Sequence, residues 1–503
     1  MRLGRETGLK AFLALVWMVC LYRAITQSIV HDEALTYGFY IGAPWSQIFQ
    51  FYDANHHFLN TLLMKLSVSL FGVSECSMRL PALGGAALYL AAVYRICERE
   101  IGPDAAAFLA AALLALNPMI LDFMVAARGY GMALGFLMWA LAILVAYVRR
   151  PEGVASRELL RAGAALSLSI MANLVFAVPA MVLTAAAWAM LKTARPTVAP
   201  APAQPPVSKK RQRRRRRPVL SDQQRALQTF RRWVVIPAVA GCAVFVLLSP
   251  LAQATPGKFY AGAETVAESL RSLYSVSLAR GGPLQQAALW PVLRDGVAFG
   301  LAPLILLGAL ARGILRRNVL LILVSATAIG CGMVPLLLHL AIHLLYPLDR
   351  TGTYFLPLTS LALAGLLEEI GGSGWWKAAG VAAAAISILL LAQFLLEFNT
   401  RKFAVWEYDA DTHAILAALG KAVPEKHPGS VRIANSWQLE PSLNFYAMKD
   451  NLDWLQPITR DPVGPGADYY ILTGADRAAA GSLHLRTIFT GSNSGTILAV
   501  PAK

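Results

Sequence analysis

Two short segments near the N terminus combine acidic and imidazole side chains at close spacing. The first is His31-Asp32-Glu33 and the second is Asp53-Ala54-Asn55-His56-His57. The first segment follows an apolar run over 9–29 that is long enough to cross a bilayer, so its carboxylates fall where the chain leaves the membrane. Ionisable groups at that depth cost free energy and commonly mark a functional site. Partial desolvation raises the pKa of a carboxylate, which can then serve as a general base.

Asp32 is the predicted general base, and Glu33 is predicted to orient that base or the acceptor of the reaction. The alternative is that both residues only cap a surface helix beginning at Ala34. Carboxylates at a helix N terminus are favourable in their own right, so the sequence leaves both interpretations open.

The rest of the chain has the composition of a membrane protein. Of its 503 residues 56% are hydrophobic and 15% are charged, and the mean hydropathy is +0.52, which is outside the usual range of soluble domains. We therefore predict a polytopic α-helical membrane protein. About eleven segments meet the requirement of roughly 20 mostly apolar residues for a transmembrane helix: 9–29, 78–97, 104–121, 128–148, 159–175, 176–192, 233–250, 296–314, 318–338, 354–369 and 376–396.

Charge and cysteine usage argue against two classes of function. The net charge is +16, and the tract 209–217 (KKRQRRRRR) adds eight positive charges in one place. Together with the Pro/Ala-rich stretch 196–206 it predicts a disordered basic loop over 195–232. The tract has no interleaved aromatic residues and no adjoining folded domain, so we expect no nucleic-acid partner. The five cysteines have no paired spacing, which argues against a disulfide framework or a zinc site.

Basic residues predict which side of the membrane each loop faces. In the predicted order of spans they gather in four segments on the same side of the membrane: 95–99, 149–161, 192–232 and 312–317. Short loops rich in Lys and Arg stay in the cytoplasm, where they also attract anionic lipid headgroups. The first loop and the C-terminal tail then lie outside. High Ala and Arg usage suggests a bacterial source, so we expect a multi-pass protein of the bacterial inner (plasma) membrane with an extracytoplasmic active site.

Interfacial helices are predicted in the first external loop. Residues 45–52 (WSQIFQFY) are amphipathic with aromatic side chains on one side, which suits a helix lying flat on the membrane. The apolar segment Phe58–Phe71 is short for a span and contains Lys65, so we expect a second interfacial helix. The alternative is that it spans the membrane, which would reverse the predicted side of every later loop.

The composition changes near residue 397, which divides the chain into a transmembrane domain over 1–396 and a small extracytoplasmic α/β domain over 397–503. Thr412–Ala422 is predicted to be helical, and 431–434 and 469–473 are predicted to be short strands. A hairpin is predicted over 485–500. We expect this domain to dock on the membrane part and stabilise it.

Motifs in three predicted outer loops carry a family resemblance. The first loop contains Asp32-Glu33, Asp53-x-Asn55-His56, and Leu70-Phe71-Gly72-Val73-Ser74-Glu75 leading into Arg79-Leu80-Pro81. The later loops contain Asn117-Pro118, Asp122, Ala127-Arg128-Gly129-Tyr130, and Arg350 with Tyr354-Phe355-Leu356-Pro357. Over residues 1–395 this series resembles the protein O-mannosyltransferase and aminoarabinose-transferase (dolichyl-phosphate-mannose-protein mannosyltransferase-like) superfamily of GT-C fold glycosyltransferases.

The resemblance implies a GT-C-like fold and an inverting transfer of a hexosyl or pentosyl group from a polyprenyl-phosphate donor to a protein, lipid or polysaccharide acceptor. Asp32 is the position that matches the family's base. The positions expected to bind the donor phosphate are Arg128, Arg350 and Tyr354. The positions expected to bind the acceptor or substrate are Asp53, Asn55, His56, Asp122 and Tyr130. Such a reaction requires no cofactor.

Two departures from the family pattern bear on these expectations. The chain has His56-His57-Phe58 where many relatives have His-Pro-Pro, and Ala126 where many have Glu, with Asp122 as a replacement acidic partner. The first departure leaves open a bound divalent cation as an alternative to a hydrogen-bonded loop. The ligands of such a cation would be His31, Asp32, Glu33, His56 and His57.

Other interpretations of the same residues remain open. Arg128 can be an interfacial snorkelling residue, and Arg350 can be a salt-bridge partner of Asp349. A lipid-linked sugar transporter or flippase would also be polytopic and basic. It should show internal repeats and ionisable residues at mid-bilayer, whereas this chain concentrates its ionisable residues in outer loops. An inactive scaffold that keeps the fold is the third alternative.

Overall fold

The computed structural model describes residues 2–101, 105–193, 221–255, 262–279 and 282–502, and the side chains of these from residue 6 onward. The predicted Pro/Ala-rich stretch 196–206 and basic tract 209–217 lie outside the described residues.

Among the described residues, eight helices are long and apolar enough to cross a membrane. They are Glu6–Thr26, Glu75–Ile101, Tyr130–Arg149, Leu174–Thr193, Asp222–Leu248, Trp290–Arg316, Val319–Ile342 and Gly374–Glu397. Each corresponds to one of the eleven predicted spans. The protein is therefore a multi-pass helical membrane protein.

These helices are labelled in chain order together with the shorter ones. The long helices contain α1 (Arg2–Thr26), α5 (Glu75–Ile96), α8 (Tyr130–Arg149), α10 (Ala177–Thr193), α11 (Asp222–Phe230), α12 (Ile236–Leu248), α15 (Trp290–Gly296), α16 (Ala302–Arg316), α17 (Val319–Ile342) and α19 (Gly374–Glu397). Single π-helical turns continue or join several of them, at Cys97–Ile101, Arg231–Val235 and Val297–Leu301. The helical α11 begins within the range 195–232 that the sequence predicted to be disordered, because Ser221 caps it and Gln224 completes the capping box.

Three predicted spans are shorter helices. The segment predicted over 104–121 is broken into α6 (Ala105–Ala115) and α7 (Pro118–Phe123). The break occurs because Pro118 begins a new helix and the Asn117 side chain caps it, accepting from the backbone of Met119 and Ile120 at 3.0 and 3.1 Å. The other two are α9 (Ser156–Ala172) and α18 (Phe355–Leu366).

The first loop forms α2 (His31–Thr36), a π-helical turn (Tyr37–Ile41), α3 (Gln47–Gln50) and α4 (Phe58–Phe71). α4 has the bounds that the sequence predicted. Its Lys65 is buried and donates to the carbonyl oxygens of Tyr40 and Ile41, both at 3.0 Å, which fastens α4 to the π-helical turn. Two further short helices, α13 (Val266–Leu278) and α14 (Pro283–Gln286), lie in a later loop.

The C-terminal region contains a four-stranded sheet and three helices. The strands are β1 (Ile433–Asn435), β2 (Tyr469–Leu472), β3 (Leu485–Thr490) and β4 (Ile497–Pro501), in the order β1-β2-β4-β3. β1 and β2 are parallel, and the other two pairings are antiparallel. The helices are α20 (Thr412–Ala422), α21 (Glu440–Lys449) and α22 (Arg477–Ser482). The bounds of α20 and the hairpin of β3 and β4 match the sequence prediction.

Close packing of α5 on α8 positions two of the arginines described below. A Cβ atom on Gly85 would lie 2.4 Å from the Cα of Met132, and one on Gly135 would lie 2.5 Å from the carbonyl oxygen of Gly85. Only glycine allows the two backbones to approach this closely. The contact fixes the N-terminal end of α5, which carries Arg79, beside the turn that carries Arg128.

Candidate active site

The carboxylate of Asp32 lies in a buried cluster with two arginines and a tryptophan. Its Oδ2 atom is 3.0 Å from Nη2 of Arg350 and 3.4 Å from Nε of Arg128. The Trp406 side chain donates a hydrogen bond to the same carboxylate. Oδ2 accepts no hydrogen bond from any described residue, although it is almost inaccessible to solvent. This buried oxygen therefore has a free lone pair that can accept a proton.

The arginines reverse the expected effect of burial on Asp32. Burial raises the pKa of this carboxyl, but the charges of Arg128 and Arg350 and the hydrogen bond from Trp406 outweigh it and hold the pKa below its ordinary value. The sequence prediction that desolvation would raise the pKa is wrong for this state of the site. Asp32 is ionised at neutral pH.

Arg128 is also held by the second motif of the first loop. Its Nη2 atom donates to Oδ1 of Asn55 at 2.7 Å. Asp53 in turn accepts from the backbone N–H of Asn55 at 2.9 Å, which shapes the turn. Gly129 follows Arg128 with φ of +68°, and a Cβ there would lie 2.2 Å from the carbonyl oxygen of Ala172. Asp53 and Asn55, predicted to bind the acceptor, thus lie where they orient Arg128.

Arg350 is the more accessible of the two arginines, with 28% of its side chain exposed. Its guanidinium lies over the ring of Trp406, 5.3 Å from the centroid, and hydrogen-bonds to Tyr130. The Tyr130 ring packs against Phe123, with centroids 4.7 Å apart. The structure therefore brings the predicted residues Asp32, Arg128, Tyr130 and Arg350 together.

Glu33 points away from this cluster and is fully buried in a separate network. Oε1 and Oε2 accept from Arg79 at 2.9 and 2.6 Å in a bidentate pair. Oε1 also accepts from the backbone N–H of Ala127 at 2.7 Å, and Oε2 from that of Val30 at 3.1 Å. The helix starts at His31, three residues earlier than the alternative that began it at Ala34. Glu33 therefore positions the start of α2 and the turn before Arg128.

Two predicted site residues belong to other parts of the structure. Asp122 accepts from Arg23 at 2.6 Å and from the backbone N–H of Ala404 at 3.0 Å, which ties α1 to the chain after the last span. Tyr354 is fully buried between the rings of Phe176 and Phe355, and its hydroxyl has no described hydrogen-bond partner. Neither is among the residues that contact the Asp32 carboxylate.

The histidines of the first loop are dispersed. The ring of His31 is bonded through Nδ1 to the carbonyl oxygen of Gln438 at 2.6 Å. His56 stacks on Tyr40, with centroids 4.3 Å apart, and burial lowers its pKa to about 4. His57 precedes α4 and packs edge-on against Tyr130, where burial lowers its pKa further.

Within the described part of the chain, no three His, Cys, Asp or Glu side chains are grouped as metal ligands. The five residues considered for a cation are therefore not brought together.

The C-terminal region supplies residues that sequence analysis missed. Trp406 contacts both Asp32 and Arg350. Three residues later, Asp409 is fully buried and accepts from the backbone N–H of His31 and from the hydroxyl of Ser442, both at 2.6 Å. Burial raises the pKa of Asp409 well above its ordinary value, and the nearby Asp32 and Glu33 carboxylates raise it further. Their only sequence signal is the aromatic and acidic run Trp406-Glu407-Tyr408-Asp409 just after the last span.

Comparison with solved structures places this arrangement in a known fold. The chain superposes on the crystal structure of ArnT from Cupriavidus metallidurans bound to undecaprenyl phosphate with a TM-score of 0.52 and 13% identity, over 99% of this chain and 98% of that one. The chain has the GT-C fold. The archaeal oligosaccharyltransferase AglB from Archaeoglobus fulgidus, in complex with an inhibitory peptide and a dolichol-phosphate, matches with a TM-score of 0.43 and 12% identity, over 98% of this chain and 74% of that one.

Comparisons of sequence find no match, although the comparison of structures does. No family model matches the chain, and no curated protein matches it. The GT-C resemblance inferred from the outer-loop motifs is nevertheless confirmed for the fold. In this GT-C chain the loop after the first span carries Asp32, and the two arginines reach it from loops far along the sequence.

Proposed function

We propose that this protein is an integral-membrane inverting glycosyltransferase that moves a sugar from a polyprenyl-phosphate donor to an acceptor on the extracytoplasmic face, as part of protein, lipid or other cell-envelope glycosylation. The observation that carries the proposal is the buried Asp32 carboxylate in contact with Arg128 and Arg350. One cluster thus combines a proton acceptor with two cations suited to a phosphate leaving group. The GT-C fold and the bound undecaprenyl phosphate of ArnT support a lipid-linked donor.

In this proposal the acceptor hydroxyl attacks the anomeric carbon of the sugar from the face opposite the phosphate. The bond between that carbon and the phosphate oxygen breaks as the new glycosidic bond forms, so the configuration inverts. Asp32 takes the hydroxyl proton, and the bonding electrons leave with the polyprenyl phosphate. Arg350 and Arg128 stabilise the charge that develops on this leaving group.

Donor binding would also activate the base. In the present arrangement the charges of Arg128 and Arg350 hold the pKa of Asp32 below its ordinary value, which makes the carboxylate a weak base. A donor phosphate near the partly exposed Arg350 competes for the same guanidinium. As Arg350 turns to the phosphate, Asp32 loses a stabilising charge and its pKa rises while it remains buried. A carboxylate that becomes more basic only when the donor is bound is poised for proton transfer at the right moment.

The assignment of the Asp32 cluster to the extracytoplasmic face rests on which residues lie at each end of the membrane-spanning helices. Asp32 follows the end of Glu6–Thr26, and Arg128 precedes the start of Tyr130–Arg149. The opposite ends carry Arg95, Arg149 and Arg312, which fits a cytoplasmic side rich in arginine.

Mass spectrometry of the lipids that purify with the protein tests the proposal. Wild type and Asp32→Asn are compared before and after incubation with candidate acceptors. We expect a polyprenyl-phosphate sugar to accumulate on Asp32→Asn and to be consumed by wild type, since the variant keeps the arginines but lacks the base. Equal turnover by the two proteins would remove Asp32 from its role. Absence of any lipid-linked sugar from both would contradict the donor class.

A further inference from the structure

A second polar cleft lies at the far end of the helix bundle from Asp32. α8 starts at Tyr130, beside the Asp32 cluster, and its last residue, Arg149, lines this cleft. At 1.5 Å per residue, the 20 residues of α8 separate the two places by about 30 Å. The cleft is therefore on the opposite surface of the membrane part and is independent of the site described above.

The lining of this cleft is strongly basic. Its volume is about 810 Å³, and five arginines line it: Arg95, Arg99, Arg149, Arg150 and Arg157. The acidic residues in the lining are Glu100 and Glu158. Five positive and two negative side chains leave a net charge of +3 in one concave surface.

Both carboxylates are already engaged. Glu100 pairs with Arg149, and Glu158 pairs with Arg95 at 3.4 Å as well as with Arg161 outside the cleft. The Arg95 guanidinium also lies over the Trp139 ring, 5.3 Å from the centroid, so its orientation is fixed. These pairs hold part of the cleft wall in place.

Arg99, Arg150 and Arg157 are exposed and form no ion pair with any described residue. Guanidinium groups repel one another in a cleft where positive side chains outnumber negative ones, and a bound anion would relieve that repulsion. The planar guanidinium matches phosphate oxygens in two-pronged hydrogen bonds. If these arginines served only to set the topology, they would need to lie in cytoplasmic loops and nothing more. Instead, arginines from α5, α8 and α9 line one concave surface, and ion pairs fix part of its wall.

We propose that this cleft binds a phosphate or phosphodiester anion, and that its source is the headgroup of an anionic phospholipid. The cleft lies where Glu75–Ile101 and Tyr130–Arg149 end, at the level at which headgroups meet the protein surface. Basic pockets between helices on the cytoplasmic side bind phosphorylated headgroups for this reason. The site anchors the protein to anionic lipid on the face opposite the chemistry.

The test uses the full-length protein, delipidated in a non-ionic detergent. Phosphatidylglycerol, phosphatidylcholine and inorganic phosphate are added in separate titrations, and binding is followed by native mass spectrometry and by the unfolding temperature. The cleft variant is Arg150→Gln/Arg157→Gln. The matched control is Arg231→Gln/Arg232→Gln, which removes the same charge from exposed residues that do not line the cleft.

We expect wild type and the control to bind phosphatidylglycerol and not phosphatidylcholine, and the cleft variant to bind it roughly ten- to thirtyfold more weakly. A different result would be that wild type binds inorganic phosphate, the cleft variant does not, and phosphatidylglycerol has no added effect. The cleft would then be a phosphate site for a soluble ligand, and the lipid headgroup would be excluded as its source. Failure of both ligands to bind would overturn the proposal. Equal weakening in the two variants, or none in the cleft variant, would also overturn it, because the attraction would then come from diffuse surface charge.

Discussion

The Nη2 atom of Arg350 lies 3.0 Å from Oδ2 of Asp32, yet this oxygen accepts no hydrogen bond from the described residues. The contact is a charge pair without the geometry of a hydrogen bond, and one of its partners is 28% exposed. Such a pair can open when another anion approaches the arginine. The base and the leaving-group site of the proposed reaction therefore share one cation.

Sharing of Arg350 has a consequence for the pH dependence of turnover. In the free protein the pKa of Asp32 is below its ordinary value of 3.8, and donor binding should raise it. The acid limb of kcat/KM for the donor reports the free protein, whereas that of kcat reports the donor complex. We expect the kcat limb to lie at higher pH. Coincident limbs would mean that donor binding leaves the Asp32 environment unchanged.

Arg350→Gln removes the accessible phosphate ligand. A hydrogen bond to a charged group contributes about 1.5–3 kcal/mol, so polyprenyl phosphate should bind roughly ten- to a hundredfold more weakly. The pKa of Asp32 should rise in the same variant. A binding titration with polyprenyl phosphate checks the first effect, with Arg401→Gln as a control for the loss of one exposed arginine. Unchanged affinity would exclude Arg350 from the donor site.

Glu33→Gln tests whether Glu33 is structural or catalytic. The change leaves the guanidinium of Arg79 buried without its carboxylate partner, which should cost about 3–5 kcal/mol of unfolding free energy. Glu33→Gln/Arg79→Met removes both charges and should recover part of this loss. Thermal unfolding in detergent measures both, with Asp32→Asn as the comparison. A Glu33→Gln protein that is as stable as wild type and inactive would instead make Glu33 part of the chemistry.

Trp406→Phe tests the contribution of the C-terminal region to the base. Phenylalanine keeps a ring against the Arg350 guanidinium but cannot donate to Asp32, so the pKa of Asp32 should rise. We expect the acid limb of kcat/KM to shift to higher pH while donor affinity changes little. Trp437→Phe is the matched control, since Trp437 packs near His31 and does not contact the Asp32 carboxylate. An equal shift in both variants would point to general loosening of the region.

Asp409→Asn tests the buried carboxyl behind His31. Because the folded-state pKa of Asp409 is raised, its contribution to stability is present at low pH and is lost as pH rises above about the ordinary value of 3.8 toward the folded-state value. Asn resembles the protonated acid and does not titrate. The unfolding temperature of Asp409→Asn relative to wild type should therefore increase between pH 5 and pH 8. Asp453→Asn, at an exposed position, should show no such trend.

The sequence by itself determined the membrane class and the fold, and it predicted the residues of the candidate site. Apolar runs long enough to cross a bilayer specify helices by length alone, and eight of them appear where they were expected. The outer-loop motifs predicted Asp32, Arg128, Tyr130 and Arg350 as site residues, and the tertiary structure brings these four together. The helix Thr412–Ala422 and the β3–β4 hairpin follow from local patterns in the same way.

Only the tertiary structure decided what each ionisable group does. Asp32 and Glu33 are adjacent and both acidic, yet α2 turns one toward Arg128 and Arg350 and the other toward Arg79. Trp406 reaches the same carboxylate from 374 positions further along the chain, which no local pattern reveals. The pKa of a buried group depends on the charges within a few ångströms of it, and those neighbours come from distant segments. Long-range packing therefore determined the direction in which the pKa of Asp32 shifts, and the prediction from sequence had this direction wrong.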